Sequence, residues 1–326
     1  MPRNPDLALA VDVGGTKLAT ALVEADGTVS HRRSAATPAG DADTVWRALA
    51  DQVRDLVAVA GTGLTGVGIA SAAPMDVRTG TVSPVNIPGW RGFPLVERVA
   101  ALVPGLPVRL AGDAVCMALA EYHHGAGRGS DALLGMVVST GIGGGFVFGG
   151  RPHLGAAGNA GHVGHFVLEP DGPPCPCGAR GCSEAIASGP SMVRWALAQG
   201  WRPVGVADGL SLSASAHAGD PVALAAFRRS GEAVARVITV AAALCEVDRV
   251  VVGGGVAQAW DLLGPAIADS LDGWPGLDFM RRVDVLPALL GVDAGLVGAA
   301  ALVRAPGSPA GGGVVAPREP AAPSAW

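Results

Sequence analysis

Residues 7–23 read LALAVDVGGTKLATALV, and this stretch decides the architecture. Leu7–Val13 has the apolar run of a buried strand, Gly14-Gly15 supplies a tight turn, and Leu18–Val23 is a second apolar strand. Asp26-Gly27 then turns the chain into a third strand near Thr28–Arg33, so the chain opens as a β-meander built by hairpin chemistry. Further out, Val45, Leu49, Val53, Leu56 and Val57 repeat at helical spacing and predict a helix over Ala42–Ala60. Gly66–Ala70 and Val108–Leu110 read as strands of parallel type, and Asp113–Tyr122 as a helix beginning beside Asp113. A meander followed by alternating strands and helices predicts an α/β protein with a mixed sheet covered by helices.

A second region starts near Leu133. Leu134–Ser139 is a strand, Gly141–Gly150 a glycine-dense hairpin, and Pro152–Cys182 a loop-rich zone of Gly, Pro, Cys and His. Helices are expected at Ser191–Gln199, Asp220–Arg228, Gly231–Leu244 and Leu296–Val303, with a strand at Arg249–Val252 running into Gly253-Gly254-Gly255. The Pro-, Gly-, Ala- and Ser-rich residues 305–326 read as a disordered tail. No short-period repeat is visible.

The composition narrows the function. In 326 residues, 49% are hydrophobic and 16% charged, which suits a well-buried globular enzyme, and 49 glycines cluster between apolar runs as backbone devices. A net charge of −5 gives no nucleic-acid footprint. No apolar run is long enough for a membrane span and no signal peptide is expected, so the chain reads as cytoplasmic with no membrane partner. Of five cysteines, Cys175, Cys177 and Cys182 fall too close together for an ordinary disulfide framework, and metal binding is the better reading.

Four motifs carry chemistry. In Asp12-Val13-Gly14-Gly15-Thr16-Lys17, a bare turn lets backbone N–H groups and a hydroxyl approach phosphate oxygens, with Asp12 placed to hold hydrated Mg²⁺. A plain hairpin turn is the alternative. Ser139-Thr140-Gly141-Ile142-Gly143-Gly144-Gly145 repeats the device after another strand, and the triplet containing Gly254 and Gly255 would offer a flat surface to an adenosine. Together these favour a nucleotide over three unrelated turns. Next, Gly164-His165 precedes Cys175-Pro176-Cys177 and Cys182, a set that can wrap a tetrahedral ion as Cys₃His with no open position, hence a structural Zn²⁺. His162 rivals His165 as fourth ligand, and free thiols or a redox pair are the alternative. Last, Asp113 follows a strand and opens a helix, where it can accept the proton of an attacking hydroxyl or serve only as a helix cap.

Taken together these residues resemble the ROK family (repressors, open reading frames, kinases) from Leu7 to about Arg304. Asp12–Lys17 is similar to its first phosphate motif and Ser139–Gly145 to its second. Asn86-Ile87-Pro88-Gly89-Trp90 resembles its sugar-side loop, and Gly161–Glu184 its zinc signature. The resemblance implies a two-lobed actin-like ATPase (RNase H-like) fold whose interlobe cleft closes on sugar and ATP. The lobes would span 1–124, completed by the helix near 295–304, and 125–294. It also implies a homodimer. Asp113 would be the general base; Asn86, Gly112, His162, His165 and Glu184 would read the sugar. Asp12, Gly14, Gly15, Thr16, Lys17, Thr140, Gly141, Gly143, Gly144, Gly254 and Gly255 would bind ATP–Mg²⁺. His165, Cys175, Cys177 and Cys182 would hold zinc.

The sequence departs from that pattern. His162 stands where the family has Glu, Gly112 where it has Asn, and Ala70-Ser71-Ala72-Ala73 replaces Gly-x-Pro-Gly. Phosphoryl transfer to a 6-hydroxyl is therefore expected, on a hexose or a modified hexose, for example an amino sugar such as kanosamine. The alternatives are a sugar-sensing regulator, disfavoured because eleven residues precede Asp12 and the chain is acidic, and a non-catalytic sugar binder.

Overall fold

The computed structural model describes residues 6–304, and the expected tail at 305–326 lies outside them. Leu7–Val13 (β1), Lys17–Val23 (β2) and Val29–Ala36 (β3) form the expected meander, followed by α1 at Ala42–Ala60. The chain continues through β4 (Leu64–Ser71), the short pair β5 (Met75–Asp76) and β6 (Thr81–Val82), α2 (Leu95–Ala100), β7 (Val108–Gly112) and α3 (Asp113–His124). The second half runs β8 (Ala132–Val138), β9 (Ile142–Phe148), β10 (Arg151–His153), α4 (Ser183–Ala187), α5 (Gly189–Ala198), α6 (Gly209–His217) and α7 (Pro221–Cys245). It ends with β11 (Arg249–Gly253), α8 (Trp260–Asp272), β12 (Asp284–Pro287) and α9 (Ala294–Arg304).

Two five-stranded sheets result, ordered β3-β2-β1-β4-β7 and β10-β9-β8-β11-β12. In each, the first three strands are antiparallel and the last two add parallel. The halves are thus the same topology twice, and the first glycine turn of each falls between its first two strands. No repeat is visible in the residues because the sheet needs only the alternation of apolar positions, not their identity.

That alternation is legible in β1. Leu7, Leu9, Val11 and Val13 join the cluster formed with α1, while Ala8 and Ala10 face a second cluster of small residues under α9. This second cluster also takes Val115, Cys116 and Leu119 of α3, Leu133 of β8, Val147 of β9 and Val251 of β11, so one alanine-rich core joins both sheets. The remaining core, around α7, belongs to the second sheet alone.

One expected break is absent. Asp220–Arg228 and Gly231–Leu244 are a single helix, α7, running Pro221–Cys245. Gly231 does not interrupt it; a Cβ there would lie 2.5 Å from Ala266 Cβ, so the glycine admits α8 at close range. Helices α2, α4, α6 and α8 and strands β5, β6, β10 and β12 were not expected. Among the described residues no helix is long and apolar enough to cross a membrane.

Candidate active site

The end of β7 delivers Gly112 and Asp113 to a cavity of about 400 Å³ between the sheets, which is also lined by Asn86, Thr140, Gly141, Gly143, Gly144, His162, His165 and Glu184. Every residue expected to read the sugar is therefore brought to one place, with the expected base and most of the second glycine loop. Asp113 starts α3, and its Oδ1 accepts the Ala114 N–H at 2.7 Å. The carboxyl is reached from the cleft yet closely surrounded by protein. That desolvation raises it above the ordinary carboxylate range, with the Ala114 bond and the His162 charge partly opposing.

The bareness of the second loop has a packing cause. Cβ atoms at Gly143 and Gly145 would meet α3, at 3.1 Å from Ala114 Cβ and 2.4 Å from Val115 Cα. At Gly144 a Cβ would meet Val163 Cγ2 at 2.8 Å. These glycines let the start of α3 and the 161–164 loop close on β9 from opposite faces, which sets Asp113, His162 and His165 around one space. Glu184, in the first turn of α4, accepts the Ile142 N–H at 2.9 Å.

The first glycine turn borders this cavity rather than lining it. Gly14 N–H closes the turn on Lys17 O at 2.9 Å, and Thr37 holds it from the side, its Oγ1 donating to Gly14 O at 2.8 Å and its N–H to Thr16 O at 3.1 Å. Gly15 packs on Asn86; a Cβ at Gly15 would lie 2.2 Å from that of Asn86. The Asn86 loop is fixed by buried Trp90, stacked on Phe93 at 4.1 Å with its Nε1 donating to Ala42 O at 3.1 Å. Burial pushes Asp12 up to about 6; the nearby Asp113 charge adds to this, and Lys17 and Arg32 oppose it. Both carboxyls therefore resist ionisation, Asp12 beside the first glycine turn and Asp113 at the cavity.

Through Ser139 and Thr140 the cavity meets a larger one of about 700 Å³, walled by α5, α6 and the segment after β11, with Gly255, Val256, Arg194 and His217 among its lining. Of the third triplet, Gly255 lines this space, whereas Gly254 lies behind it against Val138. Arg194, His217 and the rest of the α5–α6 wall carry no motif, and sequence reasoning missed them.

Beside the smaller cavity, one donor atom from each of His165, Cys175, Cys177 and Cys182 lies within 4.8 Å of the others. Cys175 Sγ to His165 Nδ1 and Cys177 Sγ to Cys182 Sγ are both 3.7 Å. Bonds of about 2.3 Å at tetrahedral angles separate ligand atoms by about 3.7 Å, so the set fits Zn²⁺. Burial and the adjacent thiols push Cys182 up to about 12, a resistance to ionisation that a dication reverses. The thiols gather His165; the ring of His162 is 6.2 Å away from that of His165 and faces Asp113's cavity instead.

A topology present twice, with a glycine turn in each copy beside a shared cleft, defines the two-lobed actin-like ATPase class. Within that class the chain belongs to the ROK family, whose profile matches residues 8–306. It is 35% identical over 318 residues to a glucokinase of Streptomyces coelicolor, covering 92% of this chain and 98% of the relative. It is 39% identical over 299 residues to an N-acetylmannosamine kinase of Escherichia coli O157:H7, covering 91% and 98%. Among solved structures, a ROK glucokinase from Streptomyces griseus in complex with glucose and AMPPNP superposes with a TM-score of 0.75 at 35% identity, covering 91% and 99%.

Proposed function

We propose that this chain transfers the γ-phosphoryl group of ATP to the 6-hydroxyl of a hexose or N-substituted hexose. That it is an ATP-dependent sugar kinase follows from family membership and from relatives of 35% and 39% identity that are both sugar kinases. The observation that carries the finer reading is the joined pair of cavities. One holds Asp113 with Glu184, His162, His165 and Asn86, the other is the space this reading gives to the nucleotide, and Thr140 lines both.

Asp113 takes the hydroxyl proton as the oxygen attacks in line; its raised carboxyl makes its ionised form a better base than a free carboxylate. Backbone N–H groups of the loops at 14–16 and 140–144 meet the phosphate oxygens, with Gly255 towards the adenosine and Gly254 supporting it from behind. Mg²⁺ at Asp12 supplies charge neutralisation on the phosphates when bound, and Lys17 adds to it. Zn²⁺ on His165, Cys175, Cys177 and Cys182 fixes the His165 ring that faces the sugar. The lobes are 1–124 with the closing helix, and 125–294; the protein works in the cytoplasm as a homodimer, without nucleic acid or membrane.

The substrate follows from the departures. His162 can donate to an amide carbonyl where a carboxylate only accepts, and Gly112 leaves space for a ring substituent, which together favour an N-substituted ring over plain glucose. N-acetylmannosamine and kanosamine are the two candidates. ADP release on a panel of glucose, mannose, N-acetylmannosamine, N-acetylglucosamine and kanosamine tests this, with the product located by mass spectrometry. A clear kcat/KM preference for glucose would overturn the amino-sugar reading. The altered pocket also leaves a second reading, a sugar-sensing or non-catalytic binder, which ADP release with any sugar removes.

A further inference from the structure

The loop that enters the zinc segment is stitched across the cleft to the first lobe. Asn159 sits opposite the short strand β5, and its side-chain amide pairs with the backbone of Met75 in both directions. Met75 N–H donates to Asn159 Oδ1 at 3.1 Å, and Asn159 Nδ2 donates to Met75 O at 2.8 Å. One turn of chain away, Val77 N–H donates to Ala157 O at 3.0 Å. Met75 itself is buried in the core of the first sheet, so the latch grips a fixed point.

We infer that Asn159 is a positioning residue which, by clamping the 157–162 loop onto β5, sets the width of the sugar cavity; this rests on the sugar-kinase reading above. The wall it closes is made by its own neighbours. Ala160, Gly161 and His162 line the cavity from one side and Ala73 from the other, within two or three residues of the paired atoms on each strand of chain. The amide's orientation is dictated by its partners, since a backbone N–H requires an acceptor and a carbonyl requires a donor. Only an amide meets both, so neither Asp nor Leu, which match its size, can replace it. The clamp lies on the sugar side, away from the larger cavity, so its loss acts on the sugar and not on the nucleotide.

The experiment compares wild type with Asn159→Ala and Asn159→Asp. Loss of two hydrogen bonds in Asn159→Ala should raise the KM for the preferred sugar about tenfold, with the KM for ATP within about twofold of wild type. ATP hydrolysis without sugar should rise relative to sugar phosphorylation, because a gaping wall admits water. Asn159→Asp keeps an acceptor but sets a carboxylate against Met75 O, and should be at least as impaired. Hydrogen exchange at the amides of Met75 and Val77, measured without sugar, should quicken in both variants. Unchanged sugar KM and coupling would overturn the proposal, whether or not exchange quickens. A wild type that phosphorylates no sugar in the panel would remove the kinase reading and this role with it, and exchange would still report the clamp itself.

Discussion

Glu184 Oε2 accepts the Ile142 N–H at 2.9 Å, which fastens the first turn of α4 to the second glycine loop. A group proposed to hold the sugar and a loop proposed to hold the phosphates therefore move as one body. The same oxygen lies 2.6 Å from where a Cβ on Gly141 would sit.

Gly141→Ala should thus displace Glu184 although residue 141 need not touch the sugar. A misplacement near 1 Å at a substrate-holding group is expected to lower kcat/KM for the sugar by about 100-fold. Steady-state kinetics on the preferred sugar reads this directly. Retention of wild-type kcat/KM would mean that Glu184 does not hold the substrate.

Asp113→Asn should cut kcat by about 100-fold or more while sugar binding, followed by calorimetry, survives. The sign of the pH dependence follows from the raised carboxyl. The base works only when ionised, so wild-type kcat/KM should fall as pH drops through a value above the ordinary carboxylate range. Asn at 113 cannot titrate, and its residual activity should lack that acidic limb. Near-normal turnover in the variant would take the base role from Asp113.

Much of this arrangement could be read from residues alone where a motif has one physical use. The Cys175–Cys182 spacing permits little except a metal, and the structure gathers those thiols with His165. The meander in residues 7–36 follows from strand alternation punctuated by glycine turns. Glycines were the ambiguous letters. Gly231 read as a helix break but serves helix–helix contact, and Gly143–Gly145 read as a phosphate cradle while also admitting α3 and the 161–164 loop. The α5–α6 wall of the larger cavity is recruited by tertiary packing from ordinary helix residues, so no local pattern marks it. The same holds for Asn159, whose partner is 84 residues away.

Purified protein should carry one tightly bound zinc per chain by elemental analysis. Chelation under denaturing conditions followed by refolding without zinc should lower Tm, and Cys177→Ser should reproduce the loss. Because His165 joins the thiol cluster and also lines the smaller cavity, zinc-depleted protein should show a higher sugar KM than ATP KM change. Protein isolated without any zinc and indifferent to added zinc would discard the site.

Asp12 gives a stability test that runs opposite to activity. Its carboxyl is raised from 3.8 to about 6, so the folded state holds this proton more tightly than the unfolded chain does. The favourable contribution is fully present below the unfolded value near 4 and is lost as pH rises through about 6. At 1.36 kcal/mol per unit, the ionised group costs the metal-free fold about 3 kcal/mol at neutral pH. Asp12→Asn, which cannot ionise, should therefore melt several degrees above wild type at pH 7.5 in EDTA. The gap should shrink as pH falls through about 6, to roughly a third of its size by pH 4.5, and ATP turnover should fall about 100-fold in the variant. Differential scanning fluorimetry across that pH range, with and without Mg²⁺, separates the two effects, since a cation bound at Asp12 should stabilise wild type alone. Equal melting at both pH values would show that Asp12 is not under electrostatic strain in the folded protein.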